Sequence, residues 1–316
     1  MNPLEQLKKY STIVADTGDI ASIQRLKPVD ATTNPSLILK AANQPEYHHI
    51  IERGLAAAKQ QATQQARLQT AIESISVGFG TEILSAIDGL VSTEVDARLS
   101  FDTRATVEQA RRIIQRYQQV GIGRERVLVK IASTWEGIQA ARLLEQEGIH
   151  CNLTLLFNFA QAQACAEAGI TLISPFVGRI LDWHKKATGQ DYTAATDPGV
   201  LSVKAIYEYY KACNYQTIVM AASFRNTGEI KALAGCDKLT ISPALLDALA
   251  QEDEDLSPAL SASLAVPQAR LSELNEAQFR WQLNEDAMAT EKLAEGIRLF
   301  SADLRTLEQK ILTLMV

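Results

Sequence analysis

Histidine and cysteine are scarce, four of each in 316 residues, and neither is spaced for metal chemistry. His48 and His49 are adjacent, His150 and His184 stand alone, and no HxH, HExxH or CxxC occurs. That leaves no legible zinc or iron site, and no metal and no cofactor are expected. Cys151, Cys165, Cys213 and Cys236 read as reduced core residues. Long apolar runs are missing too. The longest, such as 217–224 and 153–157, fall far short of the ~20 residues a bilayer span requires, so no membrane partner is expected. The amino end, MNPLEQLKKYSTIVADTGD, has no apolar run followed by a small-residue cleavage site, which makes the cytoplasm the expected location. Positive charge is outnumbered: 31 basic against 37 acidic residues give a net charge of −6, a poor match to a polyphosphate backbone, so nucleic acid is not an expected partner. Neither a GxGxxG after the first strand-like run nor a GxSxG is present, which argues against a dinucleotide fold and a serine nucleophile. The sequon at Asn152 lies inside an apolar run and is a chance match.

What is present is average globular composition, 47% hydrophobic and 22% charged, enough for a large core without staples. The length admits either about two domains of ~150 residues or one barrel of ~250 with insertions. Short apolar runs recur at 12–16, 29–33, 90–96, 126–132, 151–157, 171–176, 217–223 and 238–242. Helical patterns lie between them, at 105–120, 134–147, 160–168, 203–213 and 227–233, several ending just before Gly121, Gly148, Gly169 or Gly235. Eight alternating pairs predict an α/β protein, a single (β/α)8 TIM barrel spanning 1–316 as one domain. The stretches 35–89 and 178–197 exceed loop length and read as insertions with structure of their own. The acidic segment from Gln251 reads as a solvated loop, and 286–314 as an amphipathic C-terminal helix packed on the outside.

Active sites of such barrels collect at the carboxyl ends of the strands. Lys130 stands within VLVKIA and shares inward parity with Leu128 and Ala132. A lone strand-end lysine usually snorkels to solvent or pairs with a carboxylate. The alternative is a Schiff-base nucleophile, whose amine must be neutral to attack a carbonyl and is made so by an apolar pocket. Asp16, Glu94, Asp96, Asn152, Thr154, Ser174, Ser223 and Arg225 fall at the ends of other strands. Each taken singly has a structural reading, but the convergence of six strands, the lysine's own included, is harder to explain that way. Asn34 stands before Pro35 and Ser36, where a helix cap and a substrate contact are equally good readings.

Six segments carry a more specific signal. DATTNPSLI (30–38), STEVDARLS (92–100), VLVKIASTWEGI (127–138), CNLTLLF (151–157), LISPFVGRILDW (172–183) and MAASFRN (220–226) resemble the transaldolase family, in order and over nearly the whole chain. The likeness is to the long bacterial or eukaryotic type, with Ala221 where a glycine is expected. It implies transfer of a dihydroxyacetone unit from sedoheptulose 7-phosphate to glyceraldehyde 3-phosphate, giving erythrose 4-phosphate and fructose 6-phosphate, in the non-oxidative pentose phosphate pathway. It further implies that Lys130 forms the Schiff base, Asp16 is the general acid/base, and Glu94 with Thr154 positions a proton-relaying water. Asn34, Asn152 and Ser174 would hold substrate hydroxyls, Phe176 would line the pocket, and Arg179, Ser223 and Arg225 would hold the phosphate. The partners implied are small sugar phosphates, with a homodimer left open. Two rivals are a non-catalytic sugar-phosphate-binding barrel, which would not need Lys130, Glu94 and Asp16 together, and an aldolase that releases dihydroxyacetone instead of passing it on.

Overall fold

A computed structural model describes residues 1–315; Val316, the last residue of the expected 1–316 domain, lies outside the described residues. Eight parallel strands form a closed barrel in chain order: β1 (Thr12–Asp16), β2 (Asp30–Thr32), β3 (Val91–Glu94), β4 (Val127–Ala132), β5 (Cys151–Leu156), β6 (Leu172–Pro175), β7 (Ile218–Ala221) and β8 (Lys238–Ile241). The expected (β/α)8 architecture is therefore present, with each strand within two residues of its predicted ends. β1 closes on β8, Thr12 facing Lys238 and Ala15 facing Ile241.

The helices are α1 (Pro3–Leu7), α2 (Ile20–Leu26), α3 (Pro35–Ala41), α4 (His48–Ala58), α5 (Gln64–Leu84), α6 (Thr103–Gln119), α7 (Trp135–Gln146), α8 (Phe159–Glu167), α9 (Gly178–Thr188), α10 (Pro198–Ala212), α11 (Thr227–Ala232), α12 (Pro243–Gln251), α13 (Glu276–Glu285) and α14 (Ala287–Leu314). Local chemistry sets many ends. Asp102 and Thr134 cap α6 and α7, and Asn158 with Gln161 makes a reciprocal capping box on α8. Gly148 and Gly169 follow α7 and α8 at φ of +72° and +70°, the left-handed turn a side chain resists.

Stretch 35–89 holds α3, α4 and α5, with α5 the longest of the three. Residues 252–275 have no regular structure beyond one short 3-10 turn, and α13, absent from the predicted elements, follows them. The side chains alternate as parity predicts. Val14, Leu128, Leu172 and Met220 meet inside the barrel as an apolar floor, whereas Val127, Val129, Ile131 and Ala221 belong to the outer core under the helices. The methyl of Ala221 therefore points away from the barrel interior. All four cysteines are buried and unpaired, and burial pushes the Cys236 thiol up to about 12.

The structure corrects one expectation about placement. Helix α14 does not simply pack on the outside: it runs across the carboxyl end of the barrel, touching α3, α5, α9 and β5. Its apolar face joins Leu155, Phe157, Phe176 and Ala222 in an upper cluster through Leu293, Ile297 and Phe300. Such a face needs a hydrophobic partner, and periodicity alone does not say which one. The approach is close at Gly296, where a Cβ would stand 2.5 Å from Leu155 Cδ2. Leu155 itself sits at φ +52° beside the register shift between β5 and β6, so a bulge turns it up toward α14. No helix among the described residues is long and apolar enough to cross a membrane.

Candidate active site

Above the apolar floor every strand end but that of β7 contributes a polar side chain, and the layer is organised around Lys130. Its Nζ donates to the backbone oxygen of Thr33 at 3.2 Å and lies 3.2 Å from Glu94 Oε2. The two side chains are only 7% and 4% exposed, so this ion pair is held out of water. Register explains the meeting: Glu94 and Lys130 are direct neighbours on β3 and β4. The contact lies off the hydrogen-bond direction, and Glu94 Oε2 has no hydrogen-bond partner. Burial raises the Glu94 carboxyl above its ordinary value, with Lys130 and Arg179 opposing.

A narrow cavity of about 70 Å³ opens here, with Asp16, Asn34, Lys130, Thr154, Ser174, Phe176, Arg179 and Ser223 in its wall. Asp16, at the end of β1, accepts a hydrogen bond from Thr32 Oγ1 at 3.1 Å; burial raises its carboxyl too, against Lys130 and Arg179. Thr154 is buried with its hydroxyl unpaired. Asn34 satisfies both of its readings, since its Oδ1 caps α3 by accepting from Leu37 N at 2.9 Å while the residue lines the cavity. Phe176 packs edge-on to Phe157 and carries the Arg179 guanidinium 4.9 Å over its ring. Arg179 Nη1 is buried and unpaired, and burial lowers its pKa, with Arg225 the next cause.

Asn152 is drawn into a buried chain rather than the cavity wall: its Nδ2 donates to Ser92 Oγ at 2.9 Å and its Oδ1 accepts from Ser174 Oγ at 2.6 Å. Glu94 borders a second cavity of about 450 Å³ between α3, α5, α6 and α14. Arg225 is exposed and turned away, its guanidinium clasping Asp182 with Nη2 to Oδ2 at 2.8 Å and Nη1 only 3.4 Å from Ser223 Oγ. Asp96, which shares Glu94's parity on paper, lies beyond the end of β3. It caps a 3-10 turn and pairs with Arg98, which also reaches Glu308, so it is not part of the cluster.

Five lining residues escaped sequence reasoning: Thr32, Met220, Ala222, Thr240 and Phe300. Thr32 and Thr240 share the inward parity of their strands and hydrogen-bond each other at 3.2 Å, a signal that alternation could have supplied. Phe300 had no such signal, because it comes from α14, yet its ring is 6.0 Å from Lys130 Nζ and 5.6 Å from the Arg179 guanidinium. Among the described residues there is no group of three or more histidine, cysteine, aspartate or glutamate side chains placed to hold a metal. The arrangement offers a buried amine for attack on a carbonyl, two carboxyls held toward their protonated forms for proton transfer, and a guanidinium at the rim for an anion.

Comparison with known proteins fits this chemistry. The sequence pattern described as transaldolase/fructose-6-phosphate aldolase matches residues 13–311. The chain is 59% identical over 315 residues to a transaldolase of Marinomonas sp. (strain MWYL1), covering 99% of each chain. It is 60% identical over 311 residues to a transaldolase of Alteromonas mediterranea, covering 97% of each. To a transaldolase of Shewanella oneidensis it is 58% identical, over 97% of this chain and 96% of the other.

Proposed function

Because the chain belongs to the transaldolase/fructose-6-phosphate aldolase family, we propose that it is a transaldolase that moves a three-carbon ketol unit between sugar phosphates through a Schiff base on Lys130. The observation that carries this reading is the buried Lys130–Glu94 pair, 3.2 Å apart and facing Asp16 across the barrel mouth. The donor is sedoheptulose 7-phosphate or fructose 6-phosphate, and the acceptor glyceraldehyde 3-phosphate or erythrose 4-phosphate, as in the pentose phosphate pathway.

In this mechanism the Lys130 amine adds to the ketose carbonyl and water leaves, giving a protonated imine. Glu94, with the unpaired hydroxyl of Thr154, holds the water through which those protons move. Asp16 removes the proton of the C4 hydroxyl, the C3–C4 bond breaks, the aldehyde departs, and the bond pair passes into the imine as an enamine. The enamine then attacks the acceptor aldehyde, Asp16 returns its proton, and water releases the product from Lys130. No metal is required, because the protonated imine accepts the electrons. Arg179 and Ser223 stand at the rim where the phosphate would sit; Arg225 joins them by exchanging Asp182 for phosphate. Asn34 and Ser174 line the cavity where they can meet the hydroxyls, with Asn152 orienting Ser174.

Borohydride reduction in the presence of fructose 6-phosphate, followed by peptide mapping, tests the central step. One reduced adduct is expected, on Lys130, absent from Lys130→Ala and Lys130→Arg, neither of which can form the imine. An adduct on another lysine overturns the assignment. Because the family description also covers fructose-6-phosphate aldolase, the same enzyme is assayed with and without an acceptor aldehyde. Turnover that depends on acceptor supports transfer, and free dihydroxyacetone released at the full rate supports the aldolase.

A further inference from the structure

Two buried carboxyls lie behind the rim of the pocket, and the chemistry above uses neither. Asp197 is 2% exposed and Glu229 is 0% exposed. Asp197 caps α10, its Oδ1 accepting from Gly199 N at 2.7 Å and Val200 N at 3.2 Å. Glu229 Oε2 accepts from Arg225 N at 2.6 Å, and Asn226 caps α11, its side-chain oxygen accepting from Glu229 N at 2.9 Å. Glu229 Oε1 is buried and no donor reaches it; the Asp197 carboxyl lies within hydrogen-bond contact of Glu229 instead. An ionised carboxylate only accepts hydrogen bonds. Two of them in contact, out of water, attract only if a proton stands between them.

We infer that Asp197 and Glu229 hold one shared proton and are positioning residues for the phosphate arm of the pocket, fixing the 223–226 loop to the starts of α9 and α10. This rests on reading the rim as a sugar-phosphate site.

The connections support it. Ser223, in the left-handed region at φ +64°, gives its carbonyl to Gly178 N at 2.8 Å, and Val177 N donates to Ala222 O at 2.8 Å, so the loop is tied to the residue pair before Arg179. Gly199 lies against Val177, where a Cβ would be 2.2 Å from its oxygen. The starts of α9, α10 and α11 and the 222–226 loop thus form one packed unit, from which Arg179, Ser223 and Arg225 all project. Other charges are turned elsewhere: Lys231, on Glu229's own helix, pairs with Glu252 and Glu254, and the Arg225 guanidinium with Asp182. Asp197 is the charged side chain that acts on Glu229. Desolvation and Asp197 push the Glu229 carboxyl up to about 7. The proton is therefore held below that pH and lost above it, when repulsion replaces the hydrogen bond and loosens the loop.

The test measures binding of sulfate, an anion whose charge is constant across the range, by calorimetry from pH 6.5 to 8.5, alongside KM and kcat for the phosphorylated ketose. In the parent enzyme, affinity for sulfate and ketose is expected to fall about tenfold on the alkaline side, the scale of one lost charged hydrogen bond, with kcat nearly flat. In Glu229→Gln, whose amide donates to Asp197 without titrating, the slope is expected to vanish. Asp197→Asn, donating in the other direction, is the second variant and should flatten the profile as well. Parent and variant profiles that superimpose overturn the inference. Transfer activity absent from the parent, with sulfate binding still pH-dependent, instead counts against the reading of the site as a transaldolase centre.

Discussion

Burial raises the Asp16 carboxyl although Lys130 and Arg179 both stand near enough to lower it, so in the fold the loss of solvation outweighs two cations. That has a sign in stability. A carboxyl whose folded value lies above its unfolded value of about 3.9 adds no penalty at acid pH and destabilises increasingly as pH rises through the interval between them. Asp16→Asn, which keeps the Thr32 hydrogen bond, is therefore expected to be more stable than the parent at pH 7, with the difference shrinking toward pH 4.5 in denaturant titrations. The same variant loses its proton acceptor. It should still condense with fructose 6-phosphate but cleave at least ~100-fold more slowly, the scale of a lost general base. Mass spectrometry after borohydride reduction should then show the whole six-carbon adduct; a three-carbon adduct alone means that cleavage survives and the role given to Asp16 is wrong. Lys130, Asp16 and Glu94 were legible in the sequence because an ionisable side chain at an inward strand position has few structural uses. Arg225 was legible as a residue but not as a conformer, since nothing local announces its clasp with Asp182. Phe300 was illegible, because what a helix residue touches depends on where its helix is laid.

At the level of elements, α5 shows how little room the outer layer leaves. Gly80 packs against Tyr117 of α6, whose hydroxyl hydrogen-bonds Thr93 of β3 at 2.6 Å, and a Cβ at position 80 would fall 1.7 Å from that hydroxyl. Tyr117 is fully buried and cannot step aside. Gly80→Ala should cost ~1–3 kcal/mol by overpacking despite the better helix propensity of alanine, read as a lower denaturant midpoint. An unchanged midpoint would show that the layer yields. Strands were readable because short β-branched runs between helical stretches have one economical arrangement. Insertion helices were readable only as helical stretches. α13 was missed after the irregular 252–275 stretch, although Asn275 and Gln278 stand at the spacing of a capping box and mark its start.

For the molecule as a whole, the order of eight strands was legible, and closure followed from their number rather than from any residue. The metal-free chemistry proposed here rests on the imine serving as electron sink. Transfer should survive prolonged EDTA treatment, and loss of activity restored by zinc or magnesium would point to a metal-dependent aldolase. The placement of α14 has a consequence in time. The barrel cannot close until β8, at residues 238–241, has been made to meet β1 at 12–16, and the pocket has no roof until Phe300 follows. A nascent chain on the ribosome can therefore carry its lysine and both carboxyls long before it possesses a site, and activity can appear only once β8 has met β1 and Phe300 has been laid over the mouth.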